Sequence, residues 1–258
     1  MQDYVQDWLK SQPRHNQEQE QEQEQKQEQE LRASTPPALA TLLAVLHDES
    51  SIQPSHWHSL FDASVAADMS AAAAAASAAH AHLEQHLNFS VGQGHSGQLA
   101  FLTLALAALS RDASTLCQTG FNSGHSAVTA LSSSPAIKVL SFDLGDEAAV
   151  AAAAAYISSH ASFTARHELL LGDSRDTLPA AAAAAARAAY CDVSFVDGGH
   201  FGDVPLSDIM GLGLMSHSNT LLVVDDTPFL RDVEAAWCKT PSSFLSLKTC
   251  FIPFANAT

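Results

Sequence analysis

Five short segments place acids, an amide or glycines directly after apolar runs, and the reactive groups of the chain gather there. Leu116-Cys117-Gln118-Thr119-Gly120-Phe121-Asn122-Ser123-Gly124-His125-Ser126 reads as strand, turn and helix start. Gly120 can take backbone angles closed to other residues and lets a ligand approach. Gly124 can open the following helix, whose free N–H groups favour an anion such as a carboxylate. Gln118 is expected to point into the same crevice. A plain tight turn also accounts for two glycines four apart. Ser141-Phe142-Asp143-Leu144-Gly145 supplies a carboxylate 19 residues beyond Gly124. It is suited to both hydroxyls of a ribose, or to capping a helix. In Leu171-Gly172-Asp173-Ser174-Arg175, Asp173 and Ser174 can border an adenine ring, or Asp173 can cap the next helix. Phe195-Val196-Asp197-Gly198-Gly199-His200 delivers a carboxylate, two flexible residues and an imidazole that titrates near neutrality. Val223-Val224-Asp225-Asp226-Thr227 ends an apolar run on two acids, which are too costly to bury unpaired. Asp197, Asp225 and Asp226 together form the oxygen-rich set that a hard divalent cation such as Mg²⁺ requires. Hydrogen-bonded loop acids without an ion are the other reading.

These groups need a scaffold that brings five strand ends together. The β-like runs Thr115–Thr119, Lys138–Asp143, His167–Gly172, Val193–Asp197 and Leu221–Asp225 alternate with helical stretches at 124–132, 146–159, 175–189 and 203–215. Such alternation predicts βαβ units: an α/β fold with a parallel, Rossmann-like sheet and helices on both faces. Ligands of these sheets bind at the carboxyl ends of the strands, where the polar residues lie. Three regions are expected: a solvated Gln/Glu-rich tail over 1–36, a helical region over 37–97, and a ligand-binding domain over 98–258. Leu39, Leu42, Leu43 and Leu46 make a helical stripe in the second region. The Ala tracts at 71–81, 148–155 and 180–186 read as helix filler. Leu247–Pro253 can supply a sixth strand; a seventh is hard to find before Thr258.

The net charge is −16, with 12 basic against 28 acidic residues. No basic stripe can displace counterions from phosphates, so nucleic-acid binding is set aside. No run of about 18 strongly apolar residues predicts a membrane span, and no signal-peptide pattern is visible. The expected location is the cytoplasm. Cys117, Cys191, Cys238 and Cys250 form no C-x-x-C pair and are expected to be reduced and structural. Two patterns are decoys. Gly92-Gln93-Gly94-His95-Ser96-Gly97 matches G-x-G-x-x-G but follows no convincing strand, against an NAD-type oxidoreductase. His80, His82 and His86 do not share one helix face and read as solvated.

The series QTGFNSGHSA, FDLG, GDS, FVDGGH and VVDD resembles class I S-adenosylmethionine-dependent methyltransferases over roughly 88–236. It is most similar to the small-molecule O-methyltransferases related to catechol and caffeoyl-CoA O-methyltransferases, and to the "methyltransferase 24" group. The resemblance implies O-methylation of a small-molecule acceptor. It places S-adenosylmethionine against Gln118, Gly120, Phe121, Asn122, Gly124, Ser126, Asp143, Asp173, Ser174 and Asp197. Gly120 would lie under the methionine part, Asp143 at the ribose and Asp173 near adenine. Asp197, Asp225 and Asp226 fall where metal-dependent members hold their ion, and His200, with Asp197 beside it, falls where catechol-type enzymes carry a lysine base. Two positions depart from the pattern: Gln118 stands where Glu is usual, and Asp225-Asp226 where Asp-Asn is usual. A methyltransferase-like binding protein with weak or no catalysis is the alternative that Gln118 and the short C-terminus raise.

Overall fold

The apolar runs identified above become five strands in a computed structural model that describes residues 115–184, 187–226 and 230–239, together with Ala74, Ala81 and Leu102. The strands are β1 (Thr115–Thr119), β2 (Lys138–Asp143), β3 (His167–Leu171), β4 (Cys191–Val196) and β5 (Ser216–Val224). The helices are α1 (His125–Ser133), α2 (Ala148–Ser159), α3 (Ala161–Thr164), α4 (Ser174–Ala182), α5 (Val204–Gly213) and α6 (Arg231–Lys239). All pairings are parallel, in the order β3-β2-β1-β4-β5. The chain starts at the centre, winds out to β3, then crosses back to β4. The strand order therefore reverses between β1 and β4, and the loops after them part to leave a crevice.

Both faces of the sheet are covered, which is why β1, β2 and β4 are almost continuously apolar. One face (Leu116, Val139, Val193, Phe195) packs on Ala127, Val128 and Leu131 of α1 and Val150, Ala153 and Ile157 of α2. The other face (Cys117, Leu140, Phe142, Leu222) packs on Leu178 of α4, Ile209 and Leu212 of α5, and Ala236 and Trp237 of α6. The alanines of α2 are thus only partly filler. Ala149 and Ala153 are buried, whereas Ala151 and Ala155 face outward.

Three differences from expectation have local causes. β4 begins at Cys191 and β5 at Ser216, earlier than the apolar pattern suggests. Polar residues enter these strands because each finds a partner. Asp192 accepts from the Thr115 N–H (2.7 Å) and lies 3.1 Å from His217 Nε2; Ser194 and Ser216 hydroxyls pair at 3.2 Å. The third is α4, which ends at Ala182, not in the late 180s. Helix propensity yields there to the sheet, since Tyr190 and Cys191 must reach the carbonyl of Met215.

The cysteines require a correction. Cys117 of β1 and Cys191 of β4 form a disulfide, fully buried between two neighbouring strands, and Cys238 is disulfide-bonded as well. Two small apolar residues on adjacent strands are placed for bonding by the fold, a juxtaposition that spacing along the chain cannot show. The reading of reduced cysteines falls, and with it the support that cysteines lent to a reducing compartment. Among the described residues no helix is long and apolar enough to cross a membrane. Ala74 and Ala81 are helical; the rest of the 37–97 region lies outside the described residues. The Gln/Glu tail, the Leu39–Leu46 stripe, the decoy motifs and the sixth strand lie outside the described residues.

Candidate active site

A crevice of about 470 Å³ opens at the carboxyl ends of the strands. Its floor is the turn after β1. Gly120 has φ +79°, and a Cβ there would overlap the carbonyl oxygen of Asp197 at the end of β4. The two strand ends therefore touch backbone to backbone, and only glycine permits it. Gly124, with φ +77°, is the N-cap of α1. Its turn is closed by its own N–H on the Phe121 carbonyl at 2.8 Å. The start of α1 faces the crevice through His125 and Ser126.

Asp143, at the end of β2, holds this turn in place. Its Oδ2 accepts the N–H groups of Phe121 and Asn122, both at 2.9 Å, and its Oδ1 accepts that of Gly145 at 2.8 Å. The turn at 119–122 and the carboxylate of residue 143 thus line one crevice. Asn122 sits at φ +43°, a conformation that Asn tolerates better than most residues.

Gln118 lies elsewhere than expected. It is fully buried and does not line the crevice. Alternation along β1 turns its side chain to the α1/α2 face, opposite Cys117 and Thr119. There Nε2 donates to Ser141 Oγ (3.1 Å), and Ser141 Oγ lies 3.0 Å from Nε2 of His167 on β3. Burial pulls His167 down to about 4, so the ring is neutral and can accept the serine proton. The same ring stacks on Phe121 with centroids 5.2 Å apart. Gln118 is therefore the end of a buried polar chain that runs under the turn.

Asp173 caps α4, accepting the Arg175 N–H at 2.9 Å, and its ion pair with the Arg175 guanidinium closes at 2.6 Å. That bonding holds its carboxyl down to about 2. The capping role is realised, and Asp173 and Ser174 also line the crevice. Arg175 also reaches Asp203 before α5, at 3.3 Å.

At the far end of the crevice, His200 Nε2 lies 3.2 Å from Asp226 Oδ2 and 3.9 Å from Asp197 Oδ1. Burial, with the Asp225 charge and hydrogen bond adding to it and His200 opposing, pushes Asp197 up to about 6. The Asp197 carboxylate, helped by Asp226 and Asp225 and opposed by burial, holds His200 above its ordinary range. One ligand atom each from Asp197, His200 and Asp226 falls within a 4.8 Å cluster. The grouping differs from the three acids expected. His200 takes the third place, and Asp225 stands beside Asp197 on the crevice wall. Asp226 can turn inward because it adopts φ +58° at the end of β5.

Residues 117–227 match a family model described as a methyltransferase domain. This segment is a class I methyltransferase domain. No curated protein matches the chain. The matched region of the methyltransferase domain runs from Cys117, within β1, through β5 and encloses every crevice residue named above. Sequence reading missed His125, Arg175 and Asp208, all of which line the crevice. Asp208 was legible: it occupies the buried stripe of α5 with Pro205, Ile209 and Leu212, and an acid in an apolar stripe is anomalous.

Proposed function

We propose that this methyltransferase domain binds S-adenosylmethionine and transfers its methyl group to an oxygen of a small molecule. The observation that carries the reading is the clasp of the Gly120 turn by Asp143, against the backbone of Asp197. It leaves a crevice with a helix N-terminus at one end and a partly desolvated Asp–His–Asp group at the other. The fit to the cofactor rests on donor chemistry. The start of α1 suits the amino-acid carboxylate, Asp143 keeps one lone-pair site on Oδ1 for a ribose hydroxyl, and the 172–175 loop with Gly198 flanks the space for the base. The cofactor supplies an electrophilic methyl. The chain must align the acceptor, exclude water and take up a proton.

His200 is the base in this reading. Its imidazole can accept the acceptor's hydroxyl proton while Asp226 and Asp197 stabilise the imidazolium that results. The same three residues fit a divalent cation, since one imidazole nitrogen and two carboxylate oxygens converge. Asp197, His200 and Asp226 would hold it; His200 would then be a ligand and not the base, and the cation would itself lower the pKa of a bound hydroxyl.

The test is turnover. Release of S-adenosylhomocysteine from S-adenosylmethionine is followed over a panel of phenols, catechols and aliphatic alcohols, with Mg²⁺ and with chelator. The reading predicts release that depends on a hydroxylated acceptor. Cofactor binding without turnover on any acceptor would overturn the catalytic part.

A further inference from the structure

Polar side chains cross the α1/α2 face of the sheet, a face built mainly from apolar residues. Gln118 of β1 and Ser141 of β2 are fully buried and stand opposite each other in the register; His167, on β3, stands opposite Val139. Burying polar groups here costs more than burying leucines, and Gln118 Oε1 is left without a partner. The bonds run in one direction. The Gln118 amide donates to Ser141 Oγ at 3.1 Å, which leaves the serine proton for His167 Nε2 at 3.0 Å. Burial, opposed by the charge of Glu168, lowers His167 to about 4, so the ring is neutral and accepts that proton.

The imidazole then meets the turn. It stacks on the ring of Phe121, with 27° between the planes. The Phe121 ring is fully buried and also abuts the N-cap of α1: a Cβ on Gly124 would lie 3.3 Å from Phe121 Cζ. The N–H of the same residue is one of those clasped by Asp143. Phe121 thus ties the clasp to the start of α1, and its seat is an imidazole on β3, at the edge of the described sheet. His167 is only partly buried there, and water competes for an imidazole that nothing tethers.

We propose that His167 is a positioning residue for the cofactor: tethered by Gln118 and Ser141, it seats Phe121 and so sets the shape in which the turn after β1 meets its ligand. The inference rests on the S-adenosylmethionine reading above. It gives Gln118 a task that needs no contact with the ligand.

The experiment measures the affinity of the full chain for S-adenosylhomocysteine by calorimetry, and the thermal midpoint of the same samples. His167→Leu removes the seat and is expected to weaken binding about tenfold, the worth of one well-placed aromatic pair. His167→Phe keeps a ring and has no polar atom for water to draw outward; it is expected to bind within about twofold of the wild type. Ser141→Ala is expected to weaken binding about threefold beside His167, and not at all in the His167→Phe background, where no tether is needed. A merely structural role would lower the midpoint and leave the affinity of the folded protein alone. Unchanged affinity in His167→Leu therefore overturns the inference, as does a His167→Phe variant that binds as weakly as His167→Leu. Should His167→Leu fail to fold, Ser141→Ala decides, and an equal effect in both backgrounds overturns the inference. In each of these cases the wild type still binds S-adenosylhomocysteine, and the cofactor reading stands. A wild type that does not bind it overturns the cofactor reading, and the inference with it.

Discussion

The two halves of the crevice handle charge in opposite ways. On the β1–β2–β3 side Asp143 and Asp173 are already bonded. Asp143 accepts three backbone N–H groups, and Asp173 holds an N-cap and a guanidinium that keep it at about 2. On the β4–β5 side the acids crowd one imidazole, and burial raises Asp197 to about 6. The first half is rigid and electrostatically settled, as a binding surface should be. The second retains unspent charge, as a reacting centre or cation site should. Under the proposed function the first half positions and the second reacts, and five variants can break or sharpen that division.

The largest effect is expected at the seam. Gly120→Ala forces a left-handed backbone onto alanine and drives its Cβ into the Asp197 carbonyl, so the strand ends must part. S-Adenosylhomocysteine binding should fall below detection by calorimetry; near-normal affinity would remove the seam from the account.

Next comes acid stability beneath the binding half. His167 is held neutral down to about 4 against 6.5 when unfolded, so between these values the unfolded chain binds more protons. Its contribution is complete above pH 6.5 and is lost as pH falls toward 4, by roughly 3 kcal/mol in all. Urea unfolding across that window should show the loss in the wild type and a flatter profile in His167→Gln.

The reacting half is tested by His200→Gln. Turnover should drop about 100-fold while S-adenosylhomocysteine affinity stays unchanged. Equal losses in both would make His200 part of the binding surface instead. Asp143→Asn should do the reverse: cofactor affinity lowered about tenfold, because the charge-assisted bonds to Phe121 and Asn122 weaken, with turnover at saturation largely preserved. The smallest effect is expected for Arg175→Ala. Its ion pairs with Asp173 and Asp203 are exposed, so the unfolding midpoint should not move, and a large fall would give that corner a structural role.

Much of this was legible in the residues. β1 and β2 end where their apolar runs end, and Asp143, Asp173, Asp197 and Asp226 all reach the crevice, because a parallel sheet sends every strand end to one edge. What escaped reading depends on neighbours across the sheet. Gln118 sits one residue before Thr119, yet the pleat turns it to the opposite face, onto Ser141 and His167. The Cys117–Cys191 bond joins residues 74 apart in sequence, and only the β1–β4 pairing makes them adjacent. The polar start of β5 lies outside the apolar run that begins at Leu221, and it joins the sheet because Asp192 and Ser194 supply partners for His217 and Ser216. The replacement of Asp225 by His200 in the tight cluster turns on the left-handed backbone of Asp226, a conformation rare for any residue but glycine or asparagine.

The most direct test is a calorimetric titration of the purified chain with S-adenosylhomocysteine, alongside NADH, a dinucleotide that parallel sheets of this type also bind. Saturable binding of one S-adenosylhomocysteine per chain, with no heat from NADH, is the result predicted. Silence with S-adenosylhomocysteine at millimolar concentration, or binding of NADH in its place, would contradict the account.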